Sequence, residues 1–184
     1  IDTLSPDFEG YEYGYALALQ AENDREKALE IAKQGILKNP FDAQLKLLAS
    51  QLSYELHQPD QAETYLLEAK EVAEDVEEIA LRLTTLYLEQ ERFDEVLDWQ
   101  HEEVETVVTR WNIARALVAL EKTEEAVSAY QELYEDLKDN PEFLEAYVYL
   151  LREAGDLERA REVANQYLAI VPDDVQMQSI YDGL

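Results

Sequence analysis

The chain contains no cysteine. Disulfides and thiolate metal sites are therefore excluded as sources of stability, and a reducing, cytoplasmic setting is the expected one. Histidine is nearly as scarce, with His57 and His101 the only two. Neither stands in an HExxH helix or beside a nucleophile motif, so no hydrolase or metalloprotease signature is present. There is no glycine-rich phosphate loop. The five glycines and five prolines fall almost entirely where turns or ends are expected, while Gly10 and Gly14 are expected in a tyrosine-rich first helix, serving close packing. No apolar run reaches the length of a membrane span, and no signal-peptide pattern is visible. Basic residues are the last shortage: 15 Lys and Arg face 42 Asp and Glu, for a net charge of −27. Nucleic-acid phosphates and anionic membranes would be repelled, so neither is an expected partner. Carboxylates are so abundant that no pair stands out for acid–base work. Residues 71–80, EVAEDVEEIA, lack the glycine and alternating oxygen ligands of a calcium loop and read as solvated. No catalytic residue, metal or cofactor is expected.

What is present is a repeat. Ala28, Ala62, Val96, Ala126 and Ala160 recur at intervals of 34, 34, 30 and 34 residues, each opening an amphipathic stretch. A period of 34 belongs to stacked helix–turn–helix units, and the 47% hydrophobic content is enough for a continuous core. Breakers mark the boundaries. Asn39-Pro40 closes the first unit and Asp42 caps the next helix. Pro59-Asp60 breaks the second hairpin, Asn140-Pro141 is a cap followed by a proline at the first helical position, and Ala154-Gly155-Asp156 is a stop followed by a cap. Pro172-Asp173-Asp174 ends the fifth unit. The spacing predicts helix pairs at about 7–21 with 25–38, 42–57 with 60–73, 76–90 with 93–101, 104–121 with 124–138, and 141–154 with 157–170. A short helix follows from 174. No strand alternation is found.

Thirteen residues before each marker stand Tyr15, Ala49, Leu83, Ile113 and Tyr147, each followed by Ala16, Ser50, Thr84, Ala114 or Val148. Nine before come Leu19, Ser53, Tyr87, Leu117 and Leu151. Four after come Ala32, Leu66, Gln100, Tyr130 and Ala164, and twelve after the first and last markers are Pro40 and Pro172. This pattern resembles the tetratricopeptide repeat family over essentially the whole chain, best at AGDLERAREVANQYLAIVPDD, residues 155–174. The resemblance implies an all-α, right-handed superhelix (an α-solenoid) of about five hairpins plus a partial terminal helix, one array domain over 1–184. Its repeats fall at about 7–40, 41–74, 75–102, 103–140 and 141–172, with the terminal helix at 174–183. The closing VQMQSIYDGL reads as the start of another helix, so a piece of a longer array is expected.

The third repeat departs from the pattern. Gln100 and Glu103 occupy positions where an apolar pair is expected, and the interval to the next marker is four residues short, about one helical turn. A shortened second helix over 93–101 is predicted, in a stretch (89–105) with eight acids and one arginine.

The resemblance also implies a concave surface, lined by first helices, that holds a protein or peptide. Its lining falls fifteen, eleven and eight positions before each marker: Tyr13, Leu47, Leu81, Trp111 and Glu145; Leu17, Gln51, Thr85, Arg115 and Tyr149; Gln20, Tyr54, Leu88, Val118 and Arg152. Only Glu145 among these is acidic, although 42 of the 184 residues are. Trp111, Arg115, Tyr149 and Arg152 are the sharpest candidates, since aromatics and arginine dominate binding hot spots and two guanidiniums can hold a carboxylate. Arg82 and Asn112 add donors. The alternative is that both aromatics pack between hairpins while both arginines pair with glutamates. The Lys and Asn pattern with which some family members clamp a chaperone's C-terminal carboxylate is not reproduced. The expected function is a non-enzymatic, cytoplasmic scaffold for a protein or peptide of basic character or with a carboxylate anchor. Its rivals are the ligand-sensing half of a peptide-responsive regulator and a self-assembly module.

Overall fold

The structure, a computed structural model, describes residues 10–101 and 106–184. Among the described residues there is helix and turn and no strand. The order is α1 (Tyr11–Ala21), α2 (Arg25–Lys38), α3 (Ala43–Glu55), α4 (Pro59–Lys70), α5 (Glu77–Glu89), α6 (Phe93–Leu97), a 3₁₀ turn (Asp98–His101), α7 (Val107–Ala119), α8 (Thr123–Leu137), α9 (Pro141–Ala154), α10 (Leu157–Ile170) and α11 (Val175–Gly183). The predicted starts at residue 7 and residue 104, and the position of Glu103, lie outside the described residues.

Each helix begins and ends for local reasons. Asp24, Asp42, Asn140, Asp156 and Asp174 cap α2, α3, α9, α10 and α11, each side chain accepting from the backbone N–H three residues on. Pro59 does not break the second hairpin. It is the first residue of α4, where a missing N–H leaves no helical bond unmade. The turns between first and second helices share one geometry. Asn23, His57, Glu91, Glu121 and Gly155 all take the left-handed conformation, at φ 65, 58, 57, 57 and 81°. At each, paired backbone bonds close the first helix. Lys122 N–H, for example, donates to the Leu117 carbonyl at 3.0 Å, and Glu121 N–H donates to that of Val118 at 3.0 Å. His57 is therefore a turn residue.

The chain divides into two compact units, 1–86 and 87–184. In the first, α1 packs on α2, α2 on α3 and α3 on α4. Ala16, Leu19, Ala28, Ala32, Leu45, Leu48, Ala49 and Leu52 form its apolar centre. In the second, α6 to α11 pack in succession, with Tyr130 stacked on Phe143 and Tyr147 at 5.0 and 5.4 Å between ring centres. All five markers are buried, as are Ala16, Ser50, Thr84, Ala114 and Val148. Small side chains at both places let paired helices approach, which fixes the hairpin spacing.

Two expectations about glycine are corrected. Gly10 precedes α1 as its cap at φ 87°, and neither Gly10 nor Gly14 has a neighbour within 4 Å of where a Cβ would stand. The close approach is at Gly35 instead. A Cβ there would lie 2.8 Å from Leu45 Cδ1 and 2.9 Å from Glu12 Cβ. The expectation of a curtailed third repeat holds. Gln100 is exposed, and α6 has 5 residues where the other second helices have 12 to 15.

Candidate functional site

In the first unit five of the predicted candidates, Gln51, Tyr54, Leu81, Arg82 and Thr85, border one cavity, and Tyr13, Leu17, Gln20 and Leu47 do not. Ser50, Gln51 and Tyr54 of α3, Ala62 and Leu66 of α4, and Leu81, Arg82, Thr85 and Leu86 of α5 enclose about 220 Å³. Gln51 and Tyr54, and Leu81 and Thr85, are one turn apart on their helices, so two apolar-and-polar stripes face each other. The walls are aliphatic and the rim carries the polar groups. Tyr54 stands 48% exposed at the edge. Arg82 is tethered: its guanidinium donates to the Leu47 carbonyl at 3.0 Å and to Glu78 at 2.5 Å. Gln51 donates to Glu55, which also accepts from Gln20 at 3.1 Å and Arg25 at 2.6 Å. Burial pushes the Glu55 carboxyl up, but those donors outweigh it and hold the group below the ordinary carboxylate value. A fixed charge thus holds the amide at the cavity mouth. Ser50, Ala62, Leu66 and Leu86 were not among the predicted lining. Three of them occupy packing positions of the repeat, and their spacing signalled burial but not that they border a cavity.

The remaining candidates in this unit are placed as follows. Tyr13 is half-buried against the apolar centre, and Leu17 is on the surface. Leu47 is buried, so its contribution at this place is its carbonyl.

In the second unit Trp111 is half-buried. Phe143 meets its ring edge-on, 6.1 Å between centres, and the Arg115 guanidinium lies 5.6 Å from its ring centre. This is a cation–π contact one helical turn apart. Arg115 and Arg152 are both exposed, and neither is paired with a carboxylate among the described residues. Tyr149 is at the surface, and its hydroxyl accepts from Gln176 of α11 at 2.7 Å. Asn112 is buried and faces the interior. Among the described residues no helix is long and apolar enough to cross a membrane.

The helical hairpins, the buried residues at the repeat interval and the shared left-handed turn define the class: the fold is that of a tetratricopeptide-repeat array. Residues 108–174 match the family of YpiA-like, C-terminal tetratricopeptide repeats. The TPR repeat-containing protein YpiA of Bacillus subtilis (strain 168) is 26% identical over 156 residues, covering 83% of this chain and 37% of that protein. The chain thus spans about a third of that relative's length. Solved structures share the fold. YrrB, described as a TPR protein with an unusual peptide-binding site, superposes with a TM-score of 0.78 at 15% identity, over 95% of this chain and 92% of that one. MamA 41-end from Desulfovibrio magneticus RS-1 gives 0.73 at 11% identity, over 92% and 100%. Pseudomonas aeruginosa pilF gives 0.68 at 13%, over 88% and 76%.

Proposed function

We propose that this chain is a non-enzymatic scaffold that holds a peptide segment of a partner protein on the first-helix faces of its repeats. Arrays of this fold are typically scaffolds for protein interaction. The observation that carries the reading is the cavity at Gln51, Tyr54, Leu81 and Thr85. It offers apolar walls to one side chain of a bound segment, with an oriented amide and a phenol at its mouth for backbone groups. YrrB's peptide-binding site makes such a use of the fold reasonable. The pair Trp111 and Arg115, with Tyr149 and Arg152, supplies a second candidate patch. Two exposed guanidiniums beside the surface ring of Tyr149 and the half-buried ring of Trp111 suit a carboxylate next to an apolar group. The absence of cysteine fits a cytoplasmic setting.

Peptide display against the purified chain, followed by calorimetric titration of the selected peptides, tests this. Tyr54→Ala or Leu81→Gln is expected to weaken selected peptides about tenfold or more, the loss of a well-packed anchor. For peptides that carry a free carboxylate, Arg115→Ala is expected to weaken binding by roughly 1.5–3 kcal/mol, the range for a charge-assisted hydrogen bond. Peptides that bind all three variants as they bind the parent would remove both surfaces from consideration.

A further inference from the structure

The curtailed third repeat leaves a second opening, distinct from the lining residues discussed above. Gln100 of the 3₁₀ turn, Arg110, Ile113 and Leu117 of α7, and Glu125, Ser128, Ala129, Glu132 and Leu133 of α8 border a cavity of about 420 Å³. The α7 residues are spaced by three and four, and so are the α8 residues; each set is one stripe of its helix. Ile113, Leu117 and Leu133 form an aliphatic floor, while Glu125, Ser128 and Glu132 stand at the rim. Elsewhere in the chain, the position four after the marker packs Ala32, Leu66, Tyr130 or Ala164 into the core, whereas here it is the exposed Gln100. The position sixteen before the marker is buried as Glu12, Lys46, Ala80 and Leu144, whereas Arg110 keeps 35% of its side chain exposed.

We propose that this cavity is a docking site for a helix of a basic partner protein, presenting an apolar edge flanked by lysine or arginine. Shape favours a helix, because two facing helical stripes at the side of a short α6 form a trough that a helical ridge fills. Charge selects the partner. Glu125 and Glu132 carry the rim, and the one rim cation, Arg110, sits loosely, 4.0 Å from both Glu132 and Asp136. Contacts of that length contribute little, so an incoming cation can share these carboxylates. A second copy of this chain would bring the same net charge of −27 and be repelled, which argues against self-association at this face.

The test uses a fluorescently labelled synthetic amphipathic peptide, leucine and alanine on one face and lysine along its borders, read by anisotropy. A twin with glutamate in place of lysine is the companion probe. Ser128→Trp, at the exposed rim, and Ala129→Phe, at the wall, both fill the trough. Glu125→Lys with Glu132→Lys reverses the rim. Glu158→Lys with Glu162→Lys makes the same change in net charge on α10. The lysine peptide is expected to bind the parent and the α10 pair alike, and to lose about tenfold or more on the rim pair and on Ser128→Trp. Tyr54→Ala and Arg115→Ala, which probe the proposed peptide surfaces, are expected to leave it unchanged. Equal weakening by the α10 pair would reduce the effect to the general field and overturn the proposal. So would unchanged binding to Ser128→Trp, tight binding of the glutamate twin, or sedimentation showing a dimer of the parent that Ser128→Trp dissociates.

Discussion

A left-handed residue closes each first helix, and only at Gly155 is it glycine. L-residues with a Cβ are strained there by about 1–2 kcal/mol, less what glycine loses in backbone freedom. Glu121→Gly and His57→Gly are therefore expected to raise stability by about 0.5–1 kcal/mol each, and Gly155→Ala to lower it by about 1 kcal/mol, in urea unfolding monitored by circular dichroism. A second residue-scale feature is the buried Glu12, bonded to Lys38 of α2 beside the bare Cα of Gly35. The hydrogen bond from Lys38 draws the Glu12 carboxyl below its ordinary value of 4.5, against the opposing effect of burial. A depressed folded pKa means that the stabilisation is complete above about pH 4.5 and is lost as the pH falls through the lower folded value. Glu12→Gln should then cost roughly 1–2 kcal/mol at neutral pH, where a charge-assisted bond with one exposed partner is lost, and nearly nothing in acid. Gly35→Ala pushes a methyl into Leu45 and Glu12 and should cost about 1–3 kcal/mol. A Glu12→Gln stability profile parallel to the parent's across the acid range would show that the pair contributes nothing.

Elements here are set by side-chain size at two repeated places, and this is why so much of the fold was legible. The markers and the residues twelve positions before them are buried as their spacing required, and Asp42, Asn140 and Asp156 cap the helices they were read to start. The shortness of α6 followed from a four-residue deficit. Gly35 was not legible, because its need for a bare Cα comes from Leu45 and Glu12 on other helices. Nor does spacing along a first helix resolve which of two neighbouring side chains turns inward. Leu47 and Asn112 do so, while Arg82 is drawn back onto a carbonyl of α3. Two measurements probe this scale. Ala126→Leu inserts methylenes at a closed helix contact and should lower stability by roughly 1–3 kcal/mol, whereas Ala62→Leu can extend into the cavity that Ala62 borders and should cost less; an unchanged thermal melt for Ala126→Leu would mean that its contact has room to spare. Amides of Phe93–Leu97 and the following 3₁₀ turn should exchange with deuterium well before those of α8. Five residues of α-helix close few internal bonds, although Val96 and Trp99 are buried.

At the scale of the molecule the dominant quantity is the net charge of −27. With 42 acids and 15 Lys and Arg, most carboxylates have no cation to meet. Apart from Glu12 with Lys38, ion pairs such as Arg92 with Glu95 and Lys138 with Glu135 are partly or largely exposed and contribute little. Repulsion among unpaired acids therefore outweighs attraction within pairs, and the compact state carries the penalty because folding brings those charges closer. Salt screens both effects, over about 10 Å at 0.1 M, so the larger one decides the sign. Raising potassium chloride from roughly 0.02 M to 0.2 M is expected to raise the melting temperature. The same screening should weaken any complex with a basic partner, since the attraction between the two fields is lost while the apolar contact is not. Stability and affinity are thus expected to move in opposite directions along one salt series. A melting temperature that falls with added salt would show that the few ion pairs outweigh the surplus of like charge. An affinity that salt leaves unchanged would mean that the partner is held by apolar contact alone.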